Sequence, residues 1–532
     1  MPDLKISQLP AVTTTDLGQV FPAVQSGVTR QIALDDIAVV PVATIAALKA
    51  LTGMADGQQV SVTNYYAGIL GGGGPFYWDA ASVLADNGGT VILPTGHVGV
   101  GRWIRVYDGA VMATFFGFVT GGATPAARLQ AAIDAMPATG GFIDATNVTG
   151  SLTFEATVTL NKPVRIMFGA VNITLGTNQI LVRASGAGIS GLAKIDENNS
   201  PTRFAYSGTS DAIEIKHGTT ATPIFGNVFE NFEVSATGAA AASATAKGIT
   251  SKGTRYNEFR NIEVFNFTAG AGMYFTGNGA VLQGFGASCE ITNPALSTNK
   301  YGILVDAAGG SAFTAGHVYG GYSFGSTSGF DCASESWVLH GTDLGGTPCV
   351  KIRAGADDTA LIATRYEAFA SAIVIDSGVQ GTQIIAPAFI NTIGGGGTEV
   401  TDNGNNTNII PGSGRVVSKL TDAKLRGLQT ALAYQFKGVT ASIAAGGFED
   451  VKDLGGNNGT WIVGVQQADG GTAWRACAIV FNSGAALTVA SITSNNVTVG
   501  SSGTSIRLTN TSGSPIELQW SILKFGGNAA YA

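Results

Sequence analysis

Apolar positions along this chain recur at two long spacings that a lone strand or helix does not produce. Phe229-Glu-Asn-Phe-Glu-Val234 returns as Phe259-Arg-Asn-Ile-Glu-Val264, 30 positions later. Further on the offset tightens to 23, aligning Val350 with Ile373, Ile352 with Ile375, Leu339 with Ile362 and Ile362 with Ile385. A chain that coils back to the same phase advances one strand spacing, about 4.8 Å, per turn, so identical phases stack apolar on apolar. A solenoid of parallel strands is predicted over residues 141 to 410. A jelly roll or propeller would need hairpins at shorter spacing and would not sustain one offset. Asn231 and Asn261, aligned by the longer period, are placed to ladder amide to amide at turns.

The flanking segments read differently. Residues 1 to 40 alternate polar and apolar positions around a Ser26-Gly27 turn signal, which predicts two short strands. Residues 41 to 123 open with a short amphipathic helix carrying Ile45, Leu48 and Leu51, stopped by Gly53, and then become dense in aromatics. Tyr65, Tyr66, Phe76, Tyr77, Trp78, Trp103 and Tyr107 read as the core of a small domain, with a glycan platform as the alternative. Gly71 to Gly74 precede Pro75 without a strand-turn-helix context, so they are not a phosphate cradle. At residues 124 to 140 a helix is predicted, with Thr124 as its cap, Pro125 in its first turn, Leu129, Ile133 and Met136 on one face, and Pro137 and Gly140-Gly141 as its stop. Laid across the first coil, it would cover open strand edges. Residues 411 to 434 read as a linker with a second helix carrying Leu425, Leu428 and Leu432. Short strands with Gly and Asn turns over residues 435 to 532 predict a separate β-sandwich.

Composition narrows the function classes. Glycine is the outlier at 75 of 532 residues, without a triplet period, and marks turns between strands. The net charge of −7 and a pI near 5.2 lack the basic face that nucleic acid requires. No apolar run of membrane-spanning length and no basic-then-apolar leader is present, so a soluble product made in the cytoplasm is expected. Cys289, Cys332, Cys349 and Cys477 lack zinc-site spacing and are too sparse for a disulfide framework, which leaves buried thiols.

Residues 56 to 109, ADGQQVSVTNYYAGILGGGGPFYWDAASVLADNGGTVILPTGHVGVGRWIRVYDG, stand just before the charge-poor, Gly-rich strand region. That order resembles bacteriophage tailspikes and capsular polysaccharide depolymerases, where such a block connects a virion anchor to a pectate-lyase-like right-handed parallel β-helix. The resemblance implies that residues 1 to 40 dock on phage virion or baseplate proteins, that the helix at 124 to 140 caps the solenoid, that the protein is a homotrimer, and that the C-terminal domain locks the trimer or binds glycan. It further implies a bacterial surface polysaccharide, capsule or O-antigen, as partner, a place on the phage tail, and action at the bacterial cell surface. No cofactor, nucleic acid or membrane insertion is expected.

Carboxylates are scarce in the solenoid, so the cluster Asp331, Glu335, Asp343, Asp357, Asp358, Glu367 and Asp376 draws the search for chemistry. Glycoside hydrolysis uses two carboxyl groups, one an acid and one ionised. The 23-residue offset puts Glu335 in phase with Asp358. Asp343 precedes Glu367 by 24, so these two fall on neighbouring coils offset by one residue. Thr364-Arg-Tyr-Glu-Ala-Phe369 resembles the aromatic-acid step on the glycan face of depolymerase solenoids. Tyr319, Tyr322, Trp337 and Tyr366 are candidates for sugar stacking, with His340 and Arg365 beside them in substrate binding. Arg353 aligns with Asp376 as an inter-coil salt bridge. In a lyase, His317 or His340 would remove a proton α to a uronate and Lys351 or Arg365 would stabilise the charge. No calcium-site pattern of alternating Asp appears, which ranks a hydrolase above a lyase. A spike that holds glycan without cutting it is the third class.

Overall fold

The computed structural model describes residues 20–25, 28–33, 39–193, 201–216, 223–277, 288–307, 313–368, 371–390, 398–405, 407–410, 435–439, 443–453, 459–467, 475–482, 487–495, 497–502, 505–511, 514–515 and 518–525. They fall into two compact units, residues 1–264 and 265–532. The helix expected with Leu425, Leu428 and Leu432 lies outside the described residues, as does the Cys477 side chain.

In the first unit, Val20–Gln25 and Val28–Ala33 pair antiparallel on either side of Ser26-Gly27. A mixed sheet follows in the order Val40–Thr44, Gln59–Tyr66, Ile69–Asp79, Arg102–Arg105 and Val91–Ile92. Val60, Phe76, Trp78, Trp103 and the helix residues Ile45 and Leu48 form its core, so most of the aromatics are structural. The Gly71–Gly74 run serves a buried cation. Arg105 donates to the carbonyls of Gly72, Gly73 and Gly89 at 2.9, 2.6 and 2.9 Å, and its guanidinium lies 4.4 Å from the Phe76 ring centre and 4.2 Å from that of Phe115. A Cβ at Gly72 would sit 2.8 Å from that of Tyr65, so glycine lets the backbone come this close.

Pro125–Ala135 is helical with Leu129 and Ile133 buried. Thr124 does not cap it, because Thr124 is left-handed (φ 52°) and makes no side-chain cap bond. Glu155 supplies the cap instead, its carboxylate accepting from Ala126 and Ala127 N–H at 3.1 and 2.9 Å, where the helix dipole favours negative charge. Gln130 accepts from Thr159 N–H (2.7 Å) and donates to Thr159 C=O (3.1 Å). The side-chain amide thereby answers both groups that the edge strand Val158–Leu160 offers there.

Three strands per coil build a parallel β-helix in this unit. First strands Gly141–Ala145, Val164–Phe168, Gly188–Ser190, Val228–Glu230 and Asn257–Arg260 pair in parallel, stacking Ile143, Ile166, Ile189, Phe229 and Phe259 in one buried column. Each such side chain is worth about 1.5–3 kcal/mol when fully buried. The 30-residue period is structural: the Phe229 and Phe259 rings stack at 5.3 Å, and Asn261 Nδ2 donates to Asn231 Oδ1 at 2.9 Å.

The second unit contains further coils. First strands Cys289–Thr292, Gly316–Tyr319, Val338–His340, Ala360–Ile362, Gln383–Ile385 and Asn408–Ile410 pair in parallel around a buried column of Ile291, Val318, Leu339, Leu361 and Ile384. Val350 faces Ile373, Ile352 faces Ile375 and Ile362 faces Ile385, as the 23-residue offset predicts. Leu339 instead faces Leu361, because that coil is one residue shorter. Ile362 and Ile385 consequently lie on the half-exposed side of the strand. Two long strands, Ala295–Asp306 and Tyr322–Cys332, each span the second and third positions of their coils.

Residues 435–525 form two antiparallel sheets of five and three strands. Val463, Val465, Leu487 and Leu518 from the larger sheet share one core with Val497, Val499, Ile506 and Leu508 from the smaller, which makes this a β-sandwich. Cys289, Cys332 and Cys349 are free and buried, and burial pushes the last two up to about 12, far from the reactive thiolate range.

Candidate active site

Strands Tyr322–Cys332, Asp343–Gly346 and Arg365–Ala368 lie side by side in the second unit. Register aligns Tyr322, Asp343 and Arg365 in one row and Phe324, Gly345 and Glu367 in the row two residues on. Between these rows Ser323, Leu344 and Tyr366 are buried, so the pleat turns Asp343, Arg365 and Glu367 outward. Asp343 and Glu367 are thus offset by two residues, not one: the coil is 22 residues in register, and an even offset puts both carboxylates on the same face.

Arg365 ties them together. Its Nη1 is 3.3 Å from Asp343 Oδ2, and its Nη2 donates to Glu367 Oε1. Partial burial pushes the Asp343 carboxyl above its usual range; the Arg365 guanidinium pulls it down and the Glu367 charge pushes it up. Glu367 also lines a groove of about 380 Å³ together with Phe324, Gly345 and the hydroxyl side chains of Thr298, Ser326 and Thr347. Tyr322 stands beside it, its ring 5.2 Å from that of Phe324. The sequence reading missed Phe324 and Gly345. Stepping back from Glu367 by one coil and then another reaches both, but only once the coil lengths are known.

The other candidates separate from this group. Glu335 and Asp358 lie at corners before the first strands, and Ser336 N–H donates to Asp357 C=O at 2.8 Å, so Glu335 is in phase with Asp357 rather than Asp358. Trp337 is fully buried among Phe275, Phe313 and Phe330, with its Nε1 donating to Phe313 C=O at 2.9 Å. Tyr366 is likewise fully buried and stacked on Phe389 at 5.1 Å. Both are core residues rather than sugar-stacking ones, since the alternation that exposes Arg365 and Glu367 turns Tyr366 inward. Tyr319 is 39% exposed and lies 6.1 Å from the His317 ring and 6.3 Å from that of His340, all three on first strands rather than beside Asp343.

Arg353 does not meet Asp376. It sits 2.5 Å from both Asp306 and Asp331, while Asp376 takes Lys351. Burial raises the Asp331 carboxyl despite Arg353, and this network ties neighbouring coils together on the third-strand side.

Residues 41–108 match the family model described as phage tail protein small four-stranded beta-sheet domain. Over 94 residues the chain is 32% identical to the Mu-like prophage FluMu defective tail fiber protein of Haemophilus influenzae, a match covering 18% of this chain and 15% of that relative. The match thus spans well under two thirds of the relative's length. Among solved structures, tailspike gp49 of Acinetobacter baumannii bacteriophage Fri1, a capsular polysaccharide depolymerase, aligns with a TM-score of 0.42 and 13% identity over 93% of this chain and 99% of that one. The enzymatically active domain of bacteriophage CBA120 tailspike protein 2 aligns with a TM-score of 0.41 and 13% identity over 92% of this chain and 90% of that one. Pantoea stewartii WceF, a glycan biofilm modifying enzyme with a tailspike-like parallel β-helix, gives 0.38 and 12% over 90% and 69%. The resemblance to phage tail proteins drawn from residues 56 to 109 is borne out in that segment. Among the described residues no helix is long and apolar enough to cross a membrane.

Proposed function

We propose that this chain is a homotrimeric spike of a phage tail that binds a bacterial surface polysaccharide, capsule or O-antigen, and hydrolyses it with Asp343 and Glu367. One observation carries the reading: two carboxylates from adjacent coils share the Arg365 guanidinium beside a groove that one of them lines. The phage-tail module at residues 41–108 supports attachment to a virion.

Asp343, whose carboxyl is raised by burial, acts as the general acid and protonates the glycosidic oxygen as the bond to the anomeric carbon breaks. Glu367 acts as the carboxylate. It either takes a proton from the water that attacks the anomeric carbon or bonds to that carbon before water releases it, and the anomer formed first distinguishes the two. Arg365 fixes both side chains so that acid and base meet one bond.

A hydrolase is favoured over a lyase by where the lyase residues fall. His317 and His340 are on first strands, Lys351 is on a third strand engaged with Asp376, and Arg365 is held by two carboxylates. No base and uncommitted cation come together among them. The test incubates the purified full chain with polysaccharide from a susceptible host and follows reducing ends together with ultraviolet absorbance. Reducing ends without absorbance are expected. Reducing ends with the absorbance of an unsaturated sugar would make the protein a lyase, and binding with neither signal would make it an adhesin.

A further inference from the structure

The groove beside Glu367 also limits what sugar it takes. Phe324 forms one wall, and a Cβ on Gly345 would come 2.7 Å from the Phe324 Cδ1, so the absence of a side chain at 345 lets the ring lie over that position in the row that ends at Glu367. An apolar ring face offers a surface for the C–H face of a pyranose, and Thr298, Ser326 and Thr347 offer hydroxyls that donate or accept to its hydroxyl groups. Among the described residues lining the groove, Glu367 is the one that carries charge. The adjacent cation, Arg365, already binds Asp343 and Glu367, and none of the described residues lining the groove is a Lys or Arg. A carboxylate on the bound sugar would face Glu367 across a lining that, among the described residues, holds no cation.

We infer that the sugar residue held in this groove is uncharged and that Phe324 is the stacking residue that selects it. The inference rests on the glycan-cleaving reading above and deepens it: an acidic polymer is accepted when it presents a neutral residue at this position.

The experiment digests host polysaccharide with the full chain, labels new reducing ends with borodeuteride and identifies by mass spectrometry the two sugars that flanked the broken bond. At least one neutral hexose, deoxyhexose or N-acetylhexosamine is expected; carboxylates on both flanking sugars would overturn the inference while leaving the hydrolase standing. Phe324→Leu keeps apolar volume but removes the ring, and Phe324→Trp keeps a ring. Leu is expected to raise KM about tenfold or more with kcat within about threefold, and Trp to hold KM near the native value, as loss of uniform binding requires. Equal KM for all three would reject Phe324 as the stacking residue. Should the native chain release no ends, the hydrolase reading fails by itself. Affinity for immobilised polysaccharide then decides the role of Phe324, with a Leu-specific loss supporting it and equal binding rejecting it.

Discussion

Asp343 and Glu367 hang from successive coils and hold the same side chain, with Arg365 Nη1 3.3 Å from Asp343 Oδ2 and Nη2 bonded to Glu367 Oε1. Neutralising either carboxyl removes a proton donor or acceptor without changing its size. Asp343→Asn and Glu367→Gln are each expected to lower kcat by roughly 10²–10⁴-fold while circular dichroism stays native. Arg365→Lys keeps the charge but cannot fork between two partners, so a smaller fall, about tenfold, is expected. The same reducing-end assay reads all three.

The stability effect at residue 343 has the opposite sign. The Asp343 pKa is higher folded than unfolded, so the folded state binds more protons as the pH passes from the ordinary value of 3.8 up to the raised one, and stability falls across that window. Above it the ionised side chain is a net cost. Asp343→Asn should therefore melt no lower than the native chain at pH 7 and gain relative to it as pH rises through the window, in melts recorded from pH 3 to 7. A variant that melts lower at pH 7 would show that Arg365 outweighs burial.

Trp337 tests core against glycan. Trp337→Ala removes a fully buried side chain and should cost about 3–5 kcal/mol, visible as a large drop in melting temperature. Trp337→Phe should restore most of that stability, losing the bond to Phe313. Affinity for glycan in the folded Phe variant is expected to be native, whereas a sugar-stacking tryptophan would show the reverse pattern.

The asparagine ladder separates a bond from a backbone shape. Asn231 and Asn261 both have positive φ, 60° and 51°, and Asn261 donates to Asn231. Gly at 261 keeps the left-handed corner and loses the ladder bond, about 1 kcal/mol. Ala loses the bond and also strains the corner, for about 1–2 kcal/mol more. Ala should melt below Gly, and an inverted order would mean that the extra chain entropy glycine loses on folding outweighs the strain at the corner.

Arg105 should be intolerant even of Lys. Three carbonyls accept from its fork and two rings cover its faces, while burial pulls its pKa below the ordinary value. Arg105→Ala strands those carbonyls, and each costs about 1–3 kcal/mol when buried and unmade. Limited proteolysis should then cut the segment 39–110 in the variant while leaving it intact in the native chain.

Periodicity was a reliable guide to the solenoid because buried columns such as Val350 on Ile373 repeat wherever coils have equal length. It misjudged Leu339 and the offset between Asp343 and Glu367 for one reason: successive coils in this region differ in length, the one in question taking 22 residues and the next 23, and a single residue decides which face a side chain takes. Tyr366 misled because an aromatic beside a carboxylate in a strand lies on the opposite side of it, and Trp337 because its burial among Phe275, Phe313 and Phe330 is set by residues distant in sequence. The Glu155 cap and the Asp306–Arg353–Asp331 network join residues that share no motif, and only the register brings them together.

Among the described residues, seven coils pass from first to second strand through two residues, and the first of these, Asn231, Asn261, Asn293, Gly320, Gly341, Ala363 or Ala386, is left-handed. Length differences between coils are therefore absorbed at other places, and every such corner resets the phase before the strand that carries Asp343 or Glu367 begins. Within each unit, errors of length do not accumulate from coil to coil. Segments away from these corners can lengthen or be traded while Asp343 and Glu367 keep their alignment, so on the proposed function recognition and catalysis are free to evolve at different rates.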